Sequence, residues 1–196
     1  GTVTRTLDEI AWRPSKLSAT FTSWQAASTG PIVALAPSAA WPNKRWPTER
    51  WSELTKHLIG ARSDLRFALL GGPDDGFLNK IADEFGEDRV FNGVGRLTLT
   101  ESASLLSGCQ LLIANDTGLL HVADRLQMPL IAIIGPTAFG YPSGPHAKVA
   151  EVPRRELSCK PCSKDGRDAC RNREKLKCLN EVSVAQVTKL ALESLA

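Results

Sequence analysis

Five short apolar runs, each followed by a loop rich in Gly, Pro or Asp, restrict this chain to very few architectures. The runs are residues 32–36, 65–70, 89–91, 111–114 and 130–134. The longest are apolar nearly throughout, as strands covered on both faces should be. Helical patterns lie between them. Thr48 reads as the cap of a helix carrying Trp51, Leu54 and Leu58. Leu78, Ile81, Ala82 and Phe85 mark a second helix, and Thr100 starts a third through Ala103, Leu105 and Leu106. Leu119, Val122, Ala123 and Leu126 share the face of a fourth. A last helix opens on the capping-box sequence Ser183-Val-Ala-Gln186. Regular alternation with short connections predicts an α/β fold, a doubly wound parallel sheet with helices on both faces. Ligands of such sheets bind outside the carboxyl ends of the strands. All five strand-exit loops lie on that edge.

The sharpest of these exits is Leu111 to His121. An apolar strand ends in Asn115-Asp116, and Thr117-Gly118 opens a helix. The first amides of a helix have no partner within it, and its dipole is positive there, so a diphosphate fits such a place. Gly118 would let a ligand approach the backbone. His121 lies four residues beyond Thr117, on the same helix face. A plainer reading makes Asp116 an N-cap and His121 a half-buried histidine.

Two other exits carry chemistry. Lys44 sits among Trp41, Pro42, Trp46 and Pro47, a stiff loop that could hold an ammonium as a phosphate clamp. Asp74 and Asp75 follow Gly71-Gly72, where a carboxylate can take ribose hydroxyls. Neither a Walker sequence nor G-x-G-x-x-G is present.

Lys44-Arg-Trp-Pro47, Leu69-Leu-Gly-Gly72, Asn115-Asp-Thr-Gly-Leu-Leu-His121, Pro129 and Gly135-Pro-Thr137 occur in this order. Together they resemble glycosyltransferase family 9, the ADP-heptose:lipopolysaccharide heptosyltransferases, from about Ile32 to the C-terminus. The resemblance implies a Rossmann-like C-terminal half of a GT-B fold, the half that binds the donor. It implies that Lys44 contacts the donor phosphates, that Asp74 holds the ribose and that Leu97 borders the adenine. Thr117, Gly118 and Leu119 would cradle the diphosphate, with Asp116 and His121 near the phosphates and the transferred sugar. The resemblance places the general-base carboxylate of such enzymes in an N-terminal acceptor half, which is expected to be missing here. Donor binding without transfer is therefore expected of this chain alone. The resemblance implies a nucleotide-diphospho-sugar donor, a lipopolysaccharide core acceptor met through the missing half, and no cofactor for transfer. A stand-alone nucleotide-sugar binder, or an epimerase-type half without transferase activity, is the other reading.

A second cluster of chemistry lies at residues 153–180. Cys159, Cys162, Cys170 and Cys178 could close a zinc site, form two disulfides or stay free. Cys109 reads as a core residue. The segment holds nine Lys or Arg against four Asp or Glu, a local +5, while the whole chain is only +3. A basic patch could face an anionic acceptor or a membrane surface. The overall charge is too mild to argue nucleic-acid binding, although a basic zinc module is a third possibility.

The hydrophobic share of 42% suits a soluble globular chain, and no run approaches the length of a spanning helix. A cytoplasmic protein, peripheral to the inner membrane at most, is expected. The only methionine is Met128, so a piece of a longer protein is expected. Residues 1–30, with Trp12, Pro14, Phe21 and Trp24 in no clean period, read as a linker or a helix that packed elsewhere. Residues 31–196 read as the donor-binding domain.

Overall fold

A computed structural model describes residues 19–27, 29–138 and 141–196. Six parallel strands form one sheet: β1 (Ile32–Ala36), β2 (Arg66–Leu69), β3 (Val90–Asn92), β4 (Leu111–Asn115), β5 (Leu130–Ile133) and β6 (Ala147–Ala150). Their spatial order is β3-β2-β1-β4-β5-β6. The chain winds outward from β1 to one edge, returns to the middle at β4, and winds to the other edge. The turning point between β1 and β4 is where neighbouring connections part, so the sheet opens a crevice there. The register is continuous across it, with Leu35 beside Ile113 and Ala36 beside Ala114.

The sixth strand is a correction to the five expected. Its sequence, Ala-Lys-Val-Ala, is short and carries a charge, and three of its four residues are only partly buried. An edge strand has one neighbour and needs no apolar run.

Alternating side chains divide the core in two. Val33, Leu35, Phe67, Leu69, Leu111, Ile113, Ile131 and Ile133 point to one face. They meet Trp51, Leu54 and Leu58 of α2 (Thr48–Ala61), Ile81 of α3 (Asn79–Phe85), and Val187 and Ala191 of a C-terminal helix at Val184–Ser194. The opposite face is much smaller in volume at its centre: Ala34, Ala36, Ala68, Ala114 and Ala132 are all essentially inaccessible. The small residues let Leu105 and Leu106 of α4 (Leu99–Leu106) and Leu120 and Ala123 of α5 (Gly118–Arg125) approach closely. Close approach matters because α5 begins on the crevice.

Two boundaries differ from expectation and one agrees with it. Thr48 is the first residue of α2, with Pro47 before it and no side-chain cap. Thr98, not Thr100, caps α4, in a reciprocal capping box with Glu101. The expected capping box at Ser183 supplies its Ser Oγ to Gln186 N at 3.1 Å. At the front of the chain, α1 (Ala19–Ala26) lies on this domain rather than elsewhere. Phe21 is buried edge-on against Phe91 at 5.1 Å, which contributes about 2 kcal/mol. The Arg66 guanidinium stacks on Trp24 at 3.5 Å and donates to the Trp24 carbonyl. Trp12 and Pro14 lie outside the described residues.

Candidate functional site

The strand exits do converge. Asn115, at the end of β4 and fully buried, ties its exit to that of β1. Its Oδ1 accepts from Trp46 N at 3.1 Å, and its Nδ2 donates to the Pro37 carbonyl. Trp46 in turn donates from Nε1 to Val182 O at 2.9 Å and packs edge-on against Trp51. The loop carrying Lys44 is therefore held from both sides, by a buried amide and by a buried indole.

Lys44 is held too. Its Nζ lies 2.9 Å from Asp116 Oδ2, with only 12% and 7% of the two side chains exposed. Thr137 Oγ1, from the exit of β5, donates to the same Oδ2 at 2.9 Å. His121 is exposed, with Nε2 4.0 Å from the other oxygen, Oδ1. Asp116 is thus not a helix cap. The N-cap of α5 is Thr117, which makes no side-chain capping bond. A bare carboxylate at that point would repel a diphosphate, but Lys44 balances its charge and Thr137 donates a hydrogen bond to it. The ammonium has three donors and spends one on Asp116, so two are left for an anion.

A cleft of about 400 Å³ runs from this helix start toward β2 and β3. Gly71 and Gly72 form one wall, Thr117, Gly118 and Leu119 another, and Leu97 and Leu99 close the far end. The floor of the cleft is apolar, and at its near end the first amides of α5 carry positive partial charge. Such a space suits a flat apolar ring at one end and an anion at the other.

The acidic residue on this wall is Asp75. Its Oδ2 accepts from Gly72 N at 2.8 Å and its Oδ1 is 3.8 Å from Arg45. Asp74, expected at the ribose, is exposed and does not line the cleft. Two adjacent Asp residues in a tight loop point opposite ways, and spacing alone could not tell which turns inward. Thr137 was visible only as part of the Gly135-Pro-Thr137 exit. Nothing in the strand pattern announced its bond to Asp116.

Among the described residues, no group of three or more Cys, His, Asp or Glu is placed to hold a metal ion, and all five cysteines are free thiols. Of the three readings left open by the sequence, a zinc site, two disulfides or free thiols, the described residues show the last. Two of the sulfurs accept hydrogen bonds instead, Cys159 from Asn172 Nδ2 and Cys170 from Leu176 N, each at 3.3 Å. Burial, then the neighbouring thiols of Cys162 and Cys170, pushes Cys178 up to about 11. Burial alone takes Cys109, which packs beside α4, up to about 12.

A doubly wound parallel sheet with its crevice at the β1–β4 turning point defines an α/β protein of the Rossmann type. The glycosyltransferase family 9 (heptosyltransferase) model matches residues 6–171, and the chain belongs to that family. Lipooligosaccharide heptosyltransferase 2 of Haemophilus ducreyi is 29% identical over 154 residues, 75% of this chain and 42% of that protein. The structure of E. coli ADP-heptose lps heptosyltransferase II superposes with a TM-score of 0.70 at 24% identity, covering 92% of this chain and 52% of that one. E. coli heptosyltransferase WaaC with ADP-2-deoxy-2-fluoro heptose gives 0.61 at 23%, covering 93% and 50%. The chain thus spans about half the length of these structures, with a Rossmann-like half of their GT-B fold. Among the described residues, no helix is long and apolar enough to cross a membrane.

Proposed function

We propose that this chain is the donor-binding half of a heptosyltransferase, gripping a nucleotide-diphospho-sugar of the ADP-heptose class. The observation that carries the reading is the meeting of Lys44, Asp116 and the uncapped start of α5 on one rim of the sheet. The adenine would lie by Leu97 and the ribose by Asp75. The diphosphate would rest on the amides of Thr117, Gly118 and Leu119, within reach of Lys44. His121 would stand on the outer side, by the sugar. The donor analogue in the solved WaaC structure supports a ligand of this chemistry in this fold.

The transfer joins an acceptor oxygen to the anomeric carbon as the bond from that carbon to the phosphate breaks. Negative charge then builds on the departing diphosphate. A fixed ammonium and a helix start lower the cost of that charge because they are aimed before the reaction begins. The acceptor proton would go to a carboxylate of the acceptor half of such an enzyme. The acceptor is a lipopolysaccharide core, presented at the cytoplasmic face of the inner membrane. The basic segment at 153–180 would face its anionic groups.

Calorimetric titration with ADP and with UDP tests the reading. ADP should bind, and Lys44→Ala should weaken it by roughly 10- to 100-fold, the worth of one charge-assisted hydrogen bond. Absence of ADP binding by the native chain would sink the proposal.

A further inference from the structure

The cysteine-rich segment does not stand apart from the site; residues 163–168 lie over Lys44 as a strap. Gly166 is buried, with a backbone φ of +88°. A methyl group built on its α-carbon would sit 2.4 Å from both Cγ and Cδ of Lys44. No side chain fits between the strap and the lysine stem. The strap is fastened on each side of this contact. Gly166 N donates to Ser163 Oγ at 2.9 Å, and Ser163 Oγ donates to Asp168 Oδ2 at 2.8 Å. Asn43 Nδ2, next to Lys44, donates to Asp168 O at 2.7 Å. Arg167 stacks on Trp41, its guanidinium 5.0 Å from the ring centre. Ser163 also bridges to Thr137, the residue that donates to Asp116. A closed circuit results: Lys44, Asp116, Thr137, Ser163, Gly166 and back to the Lys44 stem.

We propose that Gly166 is a positioning residue: its missing side chain lets the strap press the Lys44 stem so that the ammonium meets Asp116 beside the start of α5. A lysine otherwise has four rotatable bonds and loses much freedom when fixed. The strap removes that freedom before any ligand arrives, and preorganisation of this kind appears as affinity. The inference rests on the donor reading for its ligand, but not for the contact itself.

The experiment uses the full chain with two readouts. The first is the rate at which an acylating reagent modifies the Lys44 amine without ligand, mapped by mass spectrometry. The second is ADP affinity by calorimetry. Gly166→Ala should raise Lys44 labelling several-fold and weaken ADP about tenfold. In a Lys44→Ala background the same change should cost ADP affinity less than about twofold, because the stem it collides with is gone. Gly86→Ala is the control. Gly86 also has positive φ, +76°, but nothing lies within 4 Å of an added methyl there, so both readouts should stay native. Should Gly166→Ala fail to fold, Arg167→Ala loosens the strap from the exposed side and should move both readouts in the same direction, by a smaller factor. Unchanged Lys44 labelling, or raised labelling with ADP affinity unmoved, overturns the proposal. A native chain that ignores ADP overturns the donor reading and, with it, the positioning role; labelling then reports only whether the contact exists.

Discussion

At the scale of single residues, buried charge is tolerated here only because each partner answers another. Asp116 is taken by Lys44 and Thr137, and Asp116→Ala would strand a lysine whose side chain is 12% exposed. Removing one member of such a pair costs more than the pair itself contributes. With the partial exposure, a loss of about 2 kcal/mol is expected, a fall of roughly 4–8 °C in the unfolding midpoint for a chain of this size. Scanning calorimetry checks it, and an unmoved midpoint would show the pair to be idle. Asn115 makes no ion pair, yet Asn115→Ala should be equally damaging, because Trp46 N and Pro37 O lose their buried partner together. A third residue-level expectation concerns pH. A thiol raised to about 11 is protonated at neutral pH and a poor nucleophile. Alkylation of native Cys178 should be slow at pH 8 and should quicken as pH rises toward about 11. Rapid modification at pH 8 would contradict its burial.

At the scale of elements, the two faces of the sheet are built on different rules. One is filled by large aliphatics and indoles, the other by alanines that admit α4 and α5. Ala114 precedes Asn115 and lies fully buried under α5. Ala114→Leu should therefore overpack the site's own support, at about 1–3 kcal/mol. It should also weaken ADP by moving the helix start, whereas Ile131→Leu on the roomier face should do neither. Urea unfolding and ADP titration of the two variants decide this, and equal losses would show that the faces do not differ. The alternation of apolar runs was legible in the sequence because strand exits are marked by Gly, Pro and Asp. The edge strand β6 was not, since a strand with one neighbour can afford a lysine. Nor could α1 be assigned, because its hold on Arg66 and Phe91 joins residues distant in the chain.

At the scale of the whole molecule, the donor reading gives this chain the grip on the leaving diphosphate and gives the base to the acceptor half. Donor should bind, while transfer to an acceptor by this chain alone should fall at least ~100-fold below an enzyme with a positioned base. A sugar-transfer assay with the donor and a core acceptor measures it, and full turnover would place the base within these residues. The sequence by itself determined the fold class, the exits on one edge, and the residue types that a phosphate site needs. Those follow from local rules: apolar period, turn chemistry and helix ends each extend over a few neighbours. Tertiary structure alone decided that Asp75 rather than Asp74 faces the cleft, that Asp116 answers Lys44, and that Gly166 presses on its stem. The reason is physical: such choices depend on which groups meet after the chain has folded, as Lys44 meets Asp116 and Gly166 from distant parts of the sequence, and spacing carries no information about side-chain direction there.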